Sequence, residues 1–389
     1  MNPKDIDFED LTAHSVVADM GAGWNLGNTF DSYRGGSYDE PIENYDDMTI
    51  SEMETLWLGG SDYVTTQTLI ENVKAAGFNT LRIPVTWHKA IQGEHTSSDF
   101  TIREDWFERV KQVVDWATEQ ELYVILNLHH DDYILPFDTA EKTEVSAVTL
   151  TRLWTLIGNE FKDYDYRLIF EVLNEPRFRD SEVEWISGGR RGDETAVFYR
   201  QNVNILNQTA VDAIRATGGN NRSRILMIPA YGASAFNEDW GDAFDGFVKP
   251  TDVPENGEVN KFILSAHSYV PIDYTGITDV NGNWSRNDIT RMMNPLQTQA
   301  TRLGMPVVIG EWGAVARHES PEDESEIDRA EFVKTYVEEA TLRGFATIWW
   351  DTGFLGEVMT VEGRFGLFNR KTGELHYSNI TNAILAGID

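Results

Sequence analysis

Residues 167–178 read RLIFEVLNEPRF, an apolar run that ends in Asn174, Glu175 and Pro176. A strand covered on both faces carries a near-continuous apolar sequence, so a carboxylate at its end needs a setting that tolerates charge. A barrel of parallel strands supplies one, because the C-terminal strand ends open onto the loop-built face that carries function. Reading outward, the stretches GAGWNLGN, NTLRIPVTW, LYVILNLHH, SRILMIPA, KFILSAHSY, MPVVIGEWG and FATIWWDTG have the same character. With the first stretch they make eight strand candidates.

Helical periodicity lies between them. Leu69, Ile70, Val73 and Ala76 recur at helical spacing before Gly77, and Trp106, Phe107, Val110, Val113, Val114 and Ala117 share a helical face. Further helical patterns fall near 194–217, 287–303 and 326–343. Strand alternating with helix, without a linker or repeat, predicts an α/β fold: a single (β/α)8 TIM barrel over residues 1–389, with 1–15 as an N-terminal extension. The active site is expected at the C-terminal ends of the strands. Polar insertions at 30–61, 177–193 and 231–259 follow strands and are expected to shape a cleft.

Composition narrows the partners. A net charge of −32 over 389 residues repels nucleic acid and anionic membrane and leaves a neutral polymer as a fitting partner. There is no cysteine, hence no disulfide, thiolate metal site or thiol nucleophile. No apolar run approaches the roughly 20 residues that span a bilayer, and the opening MNPKDIDFED lacks the basic-then-apolar order of a signal peptide. A Gly-rich phosphate loop is also missing.

Alternation along the strands sorts the polar residues. Arg82 opposes Leu81, Ile83 and Val85; Ile125, Asn127 and His129 oppose Val124, Leu126, Leu128 and His130; Ser265, His267 and Tyr269 share a side. The apolar side suits the outer helices, which directs the polar side toward the barrel mouth. There Glu175 has a counterpart in Glu311 of VVIGEWG, which ends another apolar strand. Two carboxyls at neighbouring strand ends suit chemistry in which one donates a proton while the other attacks or activates water.

At these residues the sequence resembles glycoside hydrolase family 5, the cellulase family of retaining (β/α)8 hydrolases. The ordered motifs are GWNLGNTFD, GFNTLRIPVTW, VILNLHHD, LNEP, HSYVP, IGEWG, WWDTG and FGLFNRKTG, and the opening and closing ones are most like subfamily 4. The resemblance implies Glu175 as general acid/base and Glu311 as nucleophile. It also implies that Asn174 holds a sugar 2-hydroxyl, that Arg82 keeps Glu311 ionised, and that His129, His267 and Tyr269 orient the carboxylates and the sugar. Trp350 becomes the platform under the reacting ring, with His130 and Asn25 as further sugar contacts.

Physical chemistry adds an expectation: ionised Glu311 should raise the pKa of Glu175 and keep it protonated. Arg82 has an alternative reading as a buried structural ion pair with Glu171. His129 and His130 are expected to point to opposite sides, which argues against a metal site; neither metal nor cofactor is expected. Trp57, Tyr133, Trp185, Tyr231, Trp240 and Tyr274 are candidates for stacking on successive sugar rings. The expected activity is that of a retaining endo-β-1,4-glucanase acting on cellulose, mixed-linkage glucan and xyloglucan as a secreted monomer, because such polymers do not enter cells. A β-mannanase or xylanase on the same scaffold, and an inactive carbohydrate-binding barrel, remain the alternatives.

Overall fold

The computed structural model describes residues 8, 10–34, 45–185, 193–235, 243–252, 260–276, 282–355 and 363–388. Eight parallel strands close a barrel. They are β1 (Ala22–Asn25), β2 (Thr80–Ile83), β3 (Tyr123–Asn127), β4 (Leu168–Glu171), β5 (Leu226–Ser234), β6 (Phe262–His267), β7 (Val307–Trp312) and β8 (Ala346–Trp349). Seven fall within stretches expected to be strands, and β5 starts inside SRILMIPA but runs four residues past its end, to Ser234. The barrel closes where β8 pairs with β1.

The longer helices are α1 (Ala13–Asp19), α2 (Gln67–Ala75), α3 (Glu104–Glu119), α4 (Ala140–Phe161), α5 (Glu194–Ala216), α6 (Arg286–Leu303), α7 (Glu324–Thr341) and α8 (Ser378–Ile388). In α3 the buried face is Trp106, Val110, Val113, Val114 and Ala117. Helix α2 buries Leu69, Ile70 and Val73 and ends at Ala76; Gly77 follows at φ +101°, a left-handed conformation that glycine adopts without penalty.

Helices α1, α4 and α8 lie outside the stretches expected to be helical, and one interval between strands differs as well. The sequence of α4 carries Thr143, Thr149, Thr151 and Thr155, β-branched residues of low helix propensity. Each hydroxyl donates to the carbonyl four residues back, so the helix absorbs polar groups that would otherwise mark a loop. Conversely, among the described residues no helix lies between β5 and β6, where the sequence is rich in Gly, Asp and Pro.

Strand parity divides the core as alternation requires. Leu81, Ile83, Val124, Leu126 and Phe170 face the helices. Tyr123, Ile125, Ile169, Met227, Ile263, Val308 and Ile348 form an inner cluster that Ala13, Val16 and Val17 of α1, with Met20 just after it, complete from below. Helix α1 is capped by Thr12, whose hydroxyl accepts from the Ser15 N–H. The segment before it is pinned by Lys261 Nζ, which donates to the carbonyls of Phe8 (2.6 Å) and Leu11 (2.5 Å).

With the bottom plugged by apolar side chains, polar residues of the same parity stack above them. The register sets Asn25 beside Arg82, Asn127 beside Glu171, and His267 beside Glu311. No helix among the described residues is long and apolar enough to cross a membrane.

Ile169 is fully buried at the centre of the inner cluster. Ile169→Ala is expected to cost about 2–5 kcal/mol of stability by transfer and cavity loss. Urea unfolding measures it, and a midpoint equal to the parent's would contradict this packing.

Candidate active site

The site is built on a buried cation. Arg82 has no exposed surface, and its guanidinium reaches four neighbours. Nε donates to Glu171 Oε2 at 2.8 Å; Nη1 donates to Glu311 Oε1 at 2.8 Å and to Asn25 Oδ1 at 3.0 Å; Nη2 donates to Asn174 Oδ1 at 2.6 Å. Burial opposes the charge, but the two carboxylates outweigh it and Arg82 stays fully protonated. Both readings of Arg82 therefore hold together: it is paired structurally with Glu171 and placed against Glu311. Glu171 is also held by Asn127 Nδ2 (2.9 Å) and Ser265 Oγ (2.6 Å).

Above this layer, one carboxylate oxygen of Glu175, one of Glu311 and a ring nitrogen of His267 lie within 4.8 Å of one another. His267 Nδ1 is 2.7 Å from Glu175 Oε1 and 3.6 Å from Glu311 Oε2. Tyr269 donates its hydroxyl to Glu311 Oε2 at 3.2 Å. His129 accepts from Asn127 Nδ2 at Nδ1 (3.1 Å), and its Nε2 stands 3.8 Å from Glu311 Oε1. Burial, then the nearby His130 and Arg82, holds the His129 pKa well below the ordinary histidine range. A neutral ring with its proton on Nε2 fits these contacts.

Protonation here differs from expectation. Burial pushes Glu175 up, but the His267 hydrogen bond and charge and the Arg177 guanidinium outweigh it and bring the carboxyl down to about 2. Burial raises Glu311 against the opposing pull of His267 and Arg82. Burial lowers His267, and Glu311 and Glu175 together reverse that, so its pKa rises. The expected repulsion from Glu311 is opposed by the His267 ring between the carboxylates, whose proton affinity both of them raise. His267 Nδ1 and Glu175 Oε1 stand 2.7 Å apart, close enough for the two groups to share one proton and titrate as a pair.

The remaining expected residues separate into cleft and core. Trp350 is half-buried and stacks parallel to His129, with ring centroids 5.8 Å apart and planes at 4°. Gly27 makes that position possible, since a Cβ there would sit 2.6 Å from Asp351 O and 2.9 Å from the Trp350 ring. Asn25, expected as a sugar contact, is fully buried. Its Nδ2 donates to the carbonyls of Gly310 (2.9 Å), Ile348 (3.3 Å) and Trp349 (3.1 Å), so Asn25 braces Arg82 from below.

His130 does not oppose His129. The regular strand ends at Asn127, the chain turns, and the two rings meet at 4.4 Å. Donor atoms of Asp31, His129 and His130 consequently fall within 4.8 Å of one another. Asp31 uses both oxygens on the N–H groups of Asn28 (3.0 Å) and Thr29 (2.7 Å), and His129 uses Nδ1 on Asn127, so most of this donor set is engaged within the protein.

Among the aromatic candidates, Tyr231 and Tyr274 are core residues: the Tyr231 hydroxyl accepts from the Phe178 N–H and the Tyr274 hydroxyl donates to Asp328. Trp57 and Trp185 are exposed, Tyr133 is half-buried, and Trp240 lies outside the described residues. Trp57, Tyr33, Tyr133 and His130 form one aromatic group, with neighbouring centroids 5.2–5.5 Å apart.

Sequence reading missed Tyr33, Asp132, Arg177 and Arg179, and gave Glu171 only as a partner of Arg82. Arg177 had a signal in its place two residues beyond Glu175. Asp132 had one in HHDD, where two acids directly follow the histidines at a strand end.

Comparison with known proteins agrees with the geometry. The cellulase (glycosyl hydrolase family 5) pattern matches residues 41–355. Endoglucanase A of Clostridium longisporum is 36% identical over 401 residues, covering 99% of this chain and 68% of that protein. A GH5-4 broad specificity endoglucanase from Ruminococcus champanellensis, solved with bound cellotriose, superposes with a TM-score of 0.80 at 32% identity, covering 97% of this chain and 99% of that one. A family 5 lichenase from Caldicellulosiruptor sp. F32 gives 0.79 at 36% identity, covering 97% and 95%.

Removing Glu171 leaves Arg82 buried with one carboxylate fewer. Glu171→Ala is expected to lose about 3–5 kcal/mol, the cost of breaking a buried ion pair from one side. Chemical denaturation measures it; a loss below about 1 kcal/mol, the scale of a surface pair, would contradict the role given to this layer.

Proposed function

The chain belongs to glycosyl hydrolase family 5, the cellulase family, and is a glycoside hydrolase; from that premise we propose that it is a retaining endo-β-1,4-glucanase acting on plant-wall glucans. The observation that carries the mechanism is the approach of Glu175 and Glu311 oxygens to within 4.8 Å. Retaining enzymes hold their carboxyls about 5 Å apart, whereas inverting ones leave roughly 6.5–9.5 Å for a water molecule.

In this reading Glu311 attacks the anomeric carbon and the glycosidic bond breaks, with the departing oxygen taking the proton of the Glu175–His267 pair. Arg82 and Tyr269 hold Glu311 in line through its two oxygens. Forming the glycosyl ester removes the Glu311 charge, which lowers the proton affinity of the imidazole between the carboxylates. Glu175 then takes a proton from the attacking water, the ester bond breaks, and the sugar leaves in its original configuration. Asn174 supports 2-hydroxyl binding: its Oδ1 is committed to Arg82, which leaves Nδ2 as the donor for a sugar. The Trp350 face is the platform beneath the reacting ring.

A glucan substrate is supported by the cellotriose in the Ruminococcus champanellensis relative and by the lichenase among the relatives. The exposed Trp57 next to Tyr33 and His130 supports a longer binding run, which suits attack within a chain. We propose that residues 1–389 act as one catalytic unit outside the cell, where such polymers occur.

The test is product release from mixed-linkage β-glucan, carboxymethylcellulose, xyloglucan, glucomannan and xylan, with rapid NMR of the first product. β-Configured product from the glucans is expected; α product would overturn retention, and release from mannan or xylan alone would overturn the substrate. Glu311→Gln is expected to abolish turnover with polysaccharide binding preserved. Glu175→Gln is expected to lose about 10²–10⁴-fold on sugar leaving groups, the usual worth of a general acid.

A further inference from the structure

The reaction above accounts for His267 on one oxygen of Glu175 and leaves the other unexplained. That second oxygen, Oε2, lies 3.5 Å from Nη1 of Arg177. Arg177 is almost wholly buried and held through Nε and Nη1. Nη1 also donates to the Glu175 carbonyl at 3.0 Å and stands 3.7 Å from Asp132 Oδ2, while Nε donates to Glu184 Oε1 at 2.9 Å. Glu184 in turn accepts from the Asp180 N–H at 2.9 Å, which closes the turn bringing Trp185 back over the site. The Trp185 ring lies over the guanidinium at 4.3 Å, within cation–π range.

Trp185 is nevertheless 60% exposed, the most exposed large aromatic side chain among the described residues. One side of the indole covers Arg177 while much of its surface meets solvent. Packing alone gives no reason to hold a tryptophan open above a buried cation. A flat apolar face beside a proton donor is, however, a surface on which a sugar ring stacks. If Glu175 delivers the proton, the departing sugar leaves on its side, so a ring on Trp185 belongs to the leaving group.

We propose that Arg177 is a positioning residue for Glu175 and that it links this carboxyl to a leaving-group platform at Trp185. The proposal rests on the reading of Glu175 as the acid/base. A ring stacked on Trp185 excludes water from the indole–guanidinium contact, and in a drier setting the pull of Arg177 on Oε2 strengthens. Filling the leaving-group side thereby fixes the aim of the carboxyl that must protonate it. Other charged groups face this contact. His267 holds Oε1, while Glu311 and His130 flank Glu175. Asp132, which burial pushes up to about 6 despite both arginines, faces Arg177 together with Arg179 and Glu184. Arg179 pairs with the same Asp132 oxygen at 3.5 Å, so the arginines share one counter-charge.

The experiment compares cellotetraose, whose leaving sugar needs a proton, with 2,4-dinitrophenyl β-cellobioside, whose leaving group needs none and places no sugar on Trp185. The readout is kcat/KM, which reports the glycosylation step, across pH. Arg177→Met is expected to lower the ratio of the tetraose to the aryl value roughly tenfold, a fraction of what a general acid supplies. Its alkaline limb on tetraose is expected to move up by roughly one pH unit, because removing a cation beside a carboxyl makes ionisation harder. Arg177→Lys is expected to restore most of the limb position. Trp185→Ala is expected to raise KM for tetraose more than for the aryl substrate.

Equal losses on both substrates with an unmoved alkaline limb in Arg177→Met would assign Arg177 a merely structural role and overturn the proposal. Equal KM changes in Trp185→Ala would remove the platform and overturn the link. Glu175→Gln run in parallel separates the two levels. If it shows no leaving-group dependence, the acid/base reading itself fails; if it does and Arg177→Met does not, only this inference fails.

Discussion

A guanidinium with no exposed surface sits at the mouth of the barrel, and the site above it follows from the need to compensate that charge. Removing an arginine from water costs several kcal/mol unless carboxylates and further acceptors receive it. Arg82 has Glu171 from β4, Glu311 from β7, and the amide oxygens of Asn25 from β1 and Asn174 beyond β4. These come from opposite sides of the barrel, so only the closed sheet brings them together. Burying the cation thus fixes where Glu311 stands.

The same charge accounts for the sharing of protons one layer up. Arg82 serves Glu171 and Glu311, Arg177 divides itself among Glu175, Asp132 and Glu184, and His267 lies between Glu175 and Glu311, which together raise its proton affinity. Its place follows from register, since β6 sets His267 beside Glu311. A carboxyl hydrogen-bonded to an imidazolium is less acidic in effect than its own low pKa suggests, because the proton it can pass on is 2.7 Å away. This is a different solution from a carboxylic acid kept neutral by burial or by like charge.

Much of this was legible in the sequence. Eight apolar stretches at alternating intervals specify the barrel, and period-two alternation separates Arg82, Asn127, Ser265 and His267 from the residues facing the helices. The two strand-end glutamates stand out because a carboxylate is conspicuous in an apolar run. What was not legible depends on departures from periodicity or on distance. His130 turns toward His129 because the strand stops at Asn127. Helix α4 is built on threonines that satisfy their own hydroxyls. Asn25 proves to be a brace because three carbonyls from β7 and β8 converge on its amide, which no local pattern reveals. Arg177 lies in plain view two residues after Glu175, yet its partners Asp132, Glu184 and Trp185 come from two separate loops.

The proposed mechanism depends on Glu311 attacking the sugar while Arg82 holds it in line. The most direct measurement is to incubate the protein with the 2-deoxy-2-fluoro analogue of 2,4-dinitrophenyl β-cellobioside, which slows release of the glycosyl ester, and to map the labelled peptide by mass spectrometry. The mechanism predicts one fluorocellobiosyl group per chain, on the carboxylate of Glu311. A label on Glu175 or on another carboxylate, or turnover of the analogue with inverted product and no adduct, would contradict it.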